Sequence, residues 1–270
     1  MEKYKAIILD LDGTLTNDGK EVTPRTLDAL MQVQRKGVKV ILASGRPVYG
    51  IRPVAEALRL GEHGGYVLAY NGGKIVRWKD GEILFNQSLD KLYVDALYAE
   101  SVDEGFPILV YQGDHIGTTD ENSEYVHKAA FINKMTIEQY DNFPDDVVHP
   151  VNKCLILGEP QRLEKMEDLM RERMKGRVDV YRSQPFFLEC VPVGIDKSAS
   201  LRFLLGRLGI SVDEVVACGD AANDLCMIEM AGLGVAMANA IPAVKEKADY
   251  VTSLNNNEDG IAEVVEKFLL

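Results

Sequence analysis

Asp10 and Asp12 stand two residues apart at the end of an apolar run, Tyr4 to Leu9, and Asp220, Asn223 and Asp224 follow another, Val215 to Cys218. Ser44 closes a third such run, Val38 to Ala43, and Lys197 opens a helical pattern just ahead of the second. Carboxylates, a small hydroxyl, an amide and one lysine brought to one edge are the equipment of phosphoryl transfer. Carboxylates that close raise one another's pKa, and a divalent cation among them removes the conflict. A donor set made of oxygen, without Cys or His, favours magnesium over zinc. The cation and the lysine would hold a dianionic phosphate beside a carboxylate able to attack phosphorus and form an aspartyl phosphate. A second carboxylate two residues on would protonate the leaving oxygen and then activate water.

The elements that must position these groups follow an alternating pattern. A short buried strand ends at Asp10. Thr23-Pro24 then reads as a helix start, with Thr as N-cap and Pro at the first position, and Gly37 as its end. The strand at 38–43 is followed by a helix through Val54, Ala57 and Leu58, then by a strand at 66–70 and the turn Asn71-Gly72-Gly73. After residue 197 the pattern returns: a helix to Leu208, a strand at 215–218, and further helices and short strands to the end. Strands alternating with helices predict a doubly wound α/β core with a parallel sheet covered on both faces. Ligands of such sheets bind at the carboxyl ends of the strands, where Asp10, Asp12, Ser44, Asp220, Asn223 and Asp224 fall.

The middle of the chain differs. Lys79-Asp80-Gly81-Glu82 is a hairpin turn between 75–78 and 83–86. Helices near 89–104, 123–134 and 160–175 are mixed with strands around 112–114, at 153–158 and across 178–192. This section reads as an inserted α+β domain at 83–187, dividing the core into 1–82 and 188–270.

Taken in order, these residues resemble a known family. Asp10-Leu11-Asp12-Gly13-Thr14-Leu15 resembles the first motif of the haloacid dehalogenase-like phosphatases, Ser44-Gly45-Arg46 the second, Lys197 in Gly194-Ile195-Asp196-Lys197 the third, and Gly219-Asp220-Ala221-Ala222-Asn223-Asp224 the fourth. A lone DxD would say little, but all four in order, each at a strand or helix end, are specific. The motifs span residues 10–224, and the strand pattern extends the match over nearly the whole chain. The insertion between the second and third motifs resembles the type IIB cap of the Cof-like sugar-phosphate phosphatases. Asn71-Gly72-Gly73 resembles their NGA loop, with Gly73 in place of Ala.

The resemblance implies roles residue by residue. Asp10 would be the nucleophile and a magnesium ligand. Asp12 would be the general acid/base, its backbone carbonyl on the metal. Asp220 would bind the metal, and Asp224 would orient its water shell or Lys197. Ser44, the Gly45 and Leu11 amides, Lys197 and Asn223 would hold the phosphate. The inserted domain would close over the site. Ala221-Ala222 replaces the commoner Gly-Glu, and Ser198 stands where Gly is common; neither removes a reactive group. The implied activity is hydrolysis of small phosphate monoesters, sugar phosphates first. The alternatives are a phosphomutase with the same nucleophile and a sensor that binds a phosphorylated metabolite without turnover.

Simpler readings stand beside these. Asp10 and Asp12 could form a turn, Ser44 could be a cap, and Asn223 could be a helix N-cap as well as a ligand. Arg46 is read as ordering its loop or pairing with an acid before touching substrate, and Asn71 either as a left-handed turn residue or as a ligand. The scattered histidines join no motif, and the cysteines read as buried free thiols. Tyr111, Phe131, Tyr181, Phe186 and Phe187 read mostly as core of the inserted domain.

Composition sets the outer limits. The net charge of −12 argues against a nucleic-acid partner. No apolar run approaches the ~20 residues of a membrane span. The opening MEKYKAIILDLDG lacks the basic start and long apolar stretch of a signal peptide, so the expected location is the cytoplasm.

Overall fold

The structure, a computed structural model, describes residues 3–270. It contains two compact units: one runs to Phe85 and resumes at Asp196–Leu270, the other is Asn86–Ile195.

The first unit opens with β1 (Ala6–Leu9), four apolar residues buried on both sides. Helix α1 (Pro24–Arg35) starts at Pro24 as expected, but the Thr23 hydroxyl makes no cap hydrogen bond and donates to Asp259 instead. Then come β2 (Lys39–Ala43), α2 (Val48–Ala57), the single turn α3 (Leu60–His63) and β3 (Tyr66–Ala69). The hairpin β4 (Lys74–Arg77) and β5 (Glu82–Asn86) completes this half.

The second unit holds α4 (Lys91–Asp103), β6 (Ile108–Gln112), β7 (His115–Thr118), α5 (Glu124–Asn133), β8 (Thr136–Gln139), α6 (Phe143–Asp146), β9 (Cys154–Leu157), α7 (Pro160–Arg173), β10 (Val178–Gln184) and β11 (Phe187–Pro192). The chain then returns to the first unit through α8 (Lys197–Leu208), β12 (Val215–Gly219), α9 (Leu225–Met230), β13 (Leu233–Ala236), α10 (Pro242–Lys247), β14 (Tyr250–Val251) and α11 (Gly260–Phe268).

The first unit's sheet has the order β14-β13-β12-β1-β2-β3-β4-β5. It is parallel from β14 to β3, and β4 runs antiparallel to β3. Succession along the chain goes outward one way from β1 to β2 and β3, and the other way from β12 to β13 and β14. The order therefore reverses between β1 and β12, and a doubly wound sheet opens its ligand crevice at that switch point. Alternate residues make the core on one face: Ala6, Ile8, Ile41, Ala43, Leu68, Val215 and Ala217 pack with Leu201, Leu204 and Leu205 of α8 and with Met227 of α9. On the opposite side α1 packs on β2 and against α11. This is the expected α/β core.

The second unit's sheet has the order β10-β11-β9-β6-β7-β8, antiparallel except for β7 beside β8. Its core joins Ile108, Val110, Cys154, Ile156, Leu188 and Cys190 to Val94 and Leu97 of α4 and to Leu163, Met166 and Met170 of α7. Buried Lys153 and Glu189 pair at 3.0 Å, and the Ser183 hydroxyl donates to Glu189 at 2.7 Å. Cys154, Cys190 and Cys218 are buried free thiols, as composition suggested.

The boundaries expected at 82/83 and 187/188 fall inside β5 and β11. Each strand stays with its pairing partner: β5 extends the first sheet beyond β4, and β11 sits between β10 and β9 in the second. The expected helix and strand set omitted α3, α6 and β8. The first two are single turns, and β8 (Thr-Ile-Glu-Gln) offers one apolar residue to signal a strand.

Candidate active site

The carboxyl ends of β1, β2, β3 and β12 bring the expected residues to one edge of the first unit's sheet. Asp10 follows β1, with its amide donating to the Cys218 carbonyl of β12 at 3.1 Å, so two strands fix its backbone. Leu11 is buried and its carbonyl accepts from the amide and hydroxyl of Thr16, both at 2.9 Å. That turn swings Asp12 back over the edge. Gly13 has φ +82°, and a Cβ there would stand 2.5 Å from Asp220 Oδ2. Only glycine lets the turn come this close to the acid.

Lys197 is the first residue of α8, whose N-cap is Asp196, accepting from the Ala199 amide at 2.8 Å. The lysine side chain is 1% exposed, and its Nζ donates to Asp10 Oδ1 at 2.6 Å and to Asp224 Oδ1 at 2.7 Å. The other Asp224 oxygen accepts from the amides of Asp220 and Ala221, both at 3.0 Å. Asp224 thus ties the lysine to the loop after β12. Thr14 donates to Asp220 Oδ1 at 2.8 Å, tying that loop to the one after β1.

Asp12 is held from outside. Arg46 forks onto it, Nε to Oδ2 at 2.7 Å and Nη2 to Oδ1 at 2.6 Å, while Lys20 Nζ donates to Oδ1 at 2.6 Å. Arg46 is itself buried, with Nη1 on the Gly50 carbonyl at 3.2 Å. Of the alternatives for Arg46, pairing with an acid is the one seen. The Ser44 hydroxyl accepts from the Arg46 amide at 3.2 Å. Asn71 adopts the left-handed conformation, φ 55°, and its amide donates to the Ser44 carbonyl at 2.9 Å. Its side-chain oxygen accepts from Asn223 Nδ2 at 3.1 Å. A Cβ on Gly45 would come within 3.3 Å of the Asn71 amide group, so the loops after β2 and β3 touch here. The short turn that contains Asn223 has no side-chain cap, so Asn223 reaches across the edge to Asn71 instead of capping a helix.

The electrostatics follow from three carboxylates sharing one ammonium. Burial, and then the charge of Asp224, push Asp10 well above the usual carboxylate range against the pull of Lys197. Burial raises Asp220 to about 6, with Asp224 adding to it and the Thr14 hydrogen bond opposing. Burial would lower the Lys197 ammonium, but Asp10 and Asp224 outweigh it and hold the group above its ordinary value. Asp12 goes the other way: burial raises it, but Arg46 and then Lys20 outweigh that and leave it below the usual range. Asp10, Asp220 and Asp224 each bring a carboxylate oxygen within 4.8 Å of the others. Oxygen donors this close, two of them with ionised forms disfavoured by burial and by one another's charge, suit a small hard cation.

Lys20 and Thr14 were not singled out from the sequence. Thr14 lies inside the first motif, and its partner Asp220 is 206 positions away. Lys20 sits in a loop with φ 64° and carries no pattern that would mark it.

A doubly wound sheet with an acid pair after its first strand, and a lysine linking the first acid of that pair to Asp224 after β12, is the site of a phosphoric-monoester hydrolase. The chain belongs to the haloacid dehalogenase-like hydrolase family, whose model it matches over residues 7–265. It is 35% identical over 270 residues to YxeH of Bacillus subtilis, covering 99% of each chain. It is 29% identical to the 5-amino-6-(5-phospho-D-ribitylamino)uracil phosphatase YcsE of the same organism, covering 98% of this chain and 96% of that one. A haloacid dehalogenase-like hydrolase from Bacteroides thetaiotaomicron matches with TM-score 0.95 and 47% identity over 98% of this chain and 99% of that one. Its substrate is therefore a small phosphorylated molecule. No helix among the described residues is long and apolar enough to cross a membrane.

Proposed function

We propose that the chain hydrolyses sugar phosphates and similar small monoesters in a magnesium-dependent reaction through an aspartyl phosphate on Asp10. The observation that carries this reading is Lys197 Nζ, 2.6 Å from Asp10 and 2.7 Å from Asp224, beside an acidic triad at the switch point. Asp10 and Asp220, with the Asp12 carbonyl and Asp224, would hold the cation, which when bound neutralises charge on the phosphate.

The remaining steps fall to the chain's own residues. Lys197, Ser44, Asn223 and the amides of Leu11 and Gly45 bind the phosphate oxygens. Asp10 attacks phosphorus, the bond to the leaving oxygen breaks, and that oxygen takes a proton from Asp12. Asp12 then takes a proton from the water that cleaves the acyl phosphate. The contacts with Arg46 and Lys20 favour its ionised form, which that second step requires. Asn86–Ile195 is the cap in this reading. A sugar phosphate is favoured by the Cof-type resemblance and by the relative named for a phosphorylated ribityl compound.

The test is phosphate release from p-nitrophenyl phosphate and a sugar-phosphate panel, with magnesium and with EDTA, for wild type and Asp10→Asn. Magnesium-dependent release lost in Asp10→Asn supports the reading. Phosphate moved within the substrate instead of released would mark a mutase.

A further inference from the structure

A second concavity lies in the first unit, built from none of the residues above. It is a groove of about 340 Å³ between α2 and the β4–β5 hairpin. Two periodicities make it. Lys74 and Val76 alternate along β4 with Trp78 just beyond its end, so their side chains share one face. Val48 and Arg52 lie one turn apart on α2 and face them, and Ile83 of β5 closes the side at 54% exposure.

Its chemistry is divided. Val48, Val76, Trp78 and Ile83 make an apolar floor, with Arg52 and Lys74 at the rim. The neighbouring arginines are neutralised, Arg59 by Glu62 and Arg77 by Asp80. Among the described residues neither Arg52 nor Lys74 forms an ion pair, although the chain carries 42 acidic residues against 30 basic ones. The Arg52 guanidinium lies 5.5 Å from the Tyr49 ring centroid, a cation–π contact. Burial lowers the Lys74 ammonium with no carboxylate to oppose it. An acidic surface has thus left two cations without a carboxylate partner beside apolar side chains, and the volume lies at the small-molecule end of ligand sites, which run from roughly 300 Å³.

We propose that this groove is a second ligand site, separate from the acid cluster, which takes a small aromatic acid with its ring against Trp78 and Val76 and its anionic group on Arg52 and Lys74. A bare oxyanion would leave the floor wet, and a neutral ring would leave both cations unpaired. The proposal does not rest on the phosphatase reading, since the acid cluster contributes no residue to the groove.

The probe is 2-naphthalenesulfonate, which has no phosphate ester, titrated into the full chain by calorimetry and followed by emission from Trp78, the chain's single tryptophan. Saturable one-site binding that changes Trp78 emission is expected. The double variant Arg52→Gln/Lys74→Gln should weaken it at least about tenfold, the worth of one lost charged contact. That variant should still hydrolyse p-nitrophenyl phosphate at the wild-type rate. Naphthalene-2-methanol should bind at least about tenfold more weakly, and inorganic sulfate should leave Trp78 emission unchanged. Absence of saturable binding, equal binding to the double variant, or equal binding of the neutral alcohol would each overturn the site.

Discussion

Arg46 grips Asp12 with both arms of its guanidinium, at 2.7 and 2.6 Å, while a third of the Asp12 side chain remains open to solvent. The arginine is buried and braced on Gly50, so it sets where the carboxylate points. Arg46→Ala is expected to cut kcat/KM on p-nitrophenyl phosphate by about 100-fold, the scale for a misplaced catalytic group. Arg46→Lys should recover little, because an ammonium lacks the fork. Lys20→Ala, which leaves the fork intact, should cost less than about tenfold, in line with a partly exposed contact. Wild-type turnover in Arg46→Ala would remove the clamp from the mechanism.

Lys197 Nζ bonds to both Asp10 and Asp224, and all three side chains are at least nine-tenths buried. Lys197→Met strands two buried carboxylates. In EDTA it should lose roughly 3–5 kcal/mol in urea unfolding, the scale for breaking a buried pair from one side. Adding Asp224→Asn should restore part of that loss, since the two changes act on one network. A Lys197→Met protein as stable as wild type would mean that the acids are neutral without the lysine.

In the proposed reading protons and magnesium would compete for the same oxygens, which gives the pH dependence its sign. Burial raises Asp220 to about 6 and holds Asp10 well above the usual carboxylate range, so in metal-free protein both gain protons at a higher pH than exposed carboxylates do. Their folded pKa values lie above the unfolded ones, so the stability they contribute is present at low pH and is lost as pH rises through the folded values. Magnesium bound as proposed would have to displace these protons. The rise in Tm that it causes should therefore be small at pH ~5 and large at pH ~7.5. Asp220→Asn should flatten that difference. A magnesium shift independent of pH in the wild type would show that the cation binds elsewhere.

Gly13 tests the packing of the two loops. Its φ of +82° is strained for any L side chain, and a Cβ would meet Asp220 Oδ2 at 2.5 Å. Gly13→Ala should cost about 1–3 kcal/mol in folding. It should also raise the magnesium concentration for half-maximal activity, because Asp220 must move. Unchanged magnesium dependence would show that Asp220 has room to yield.

The parts of this site legible in the sequence are those that local chemistry fixes. Asp10, Ser44 and Asp220 follow apolar runs that can only be buried strands, and Lys197 follows an Asp that caps its helix. What was not legible depends on distant partners. Asn223 resembles a cap until Asn71, 152 positions away, offers it an acceptor. Thr23 resembles a cap until Asp259 takes its hydroxyl. Lys20 has no local signature because its partner, Asp12, is reached through a loop that no periodicity describes. The expected boundaries fall inside β5 and β11 for a related reason: those strands are placed by the strands they pair with, and local pattern does not show pairing.

Asn71 closes the circuit. In the left-handed conformation it donates its backbone amide to Ser44 and accepts the Asn223 side-chain amide at 3.1 Å, so it joins the loops after β2, β3 and β12. Asn71→Asp separates its shape from its charge. Aspartate tolerates the left-handed conformation and can still accept from Asn223, so the loops should stay joined and Tm should change little. The new carboxylate would stand beside the groups assigned to the phosphate and repel a dianion. KM for phosphate esters should rise by about tenfold or more, worth ~1.4 kcal/mol, with kcat less affected and the penalty shrinking as salt is raised. Asn71→Ala does the opposite: it adds no charge, but it strains the backbone and drops the Asn223 acceptor, so it should lower Tm and kcat together. If both variants gave the same loss in KM and in Tm, Asn71 would be a turn residue with no electrostatic bearing on substrate.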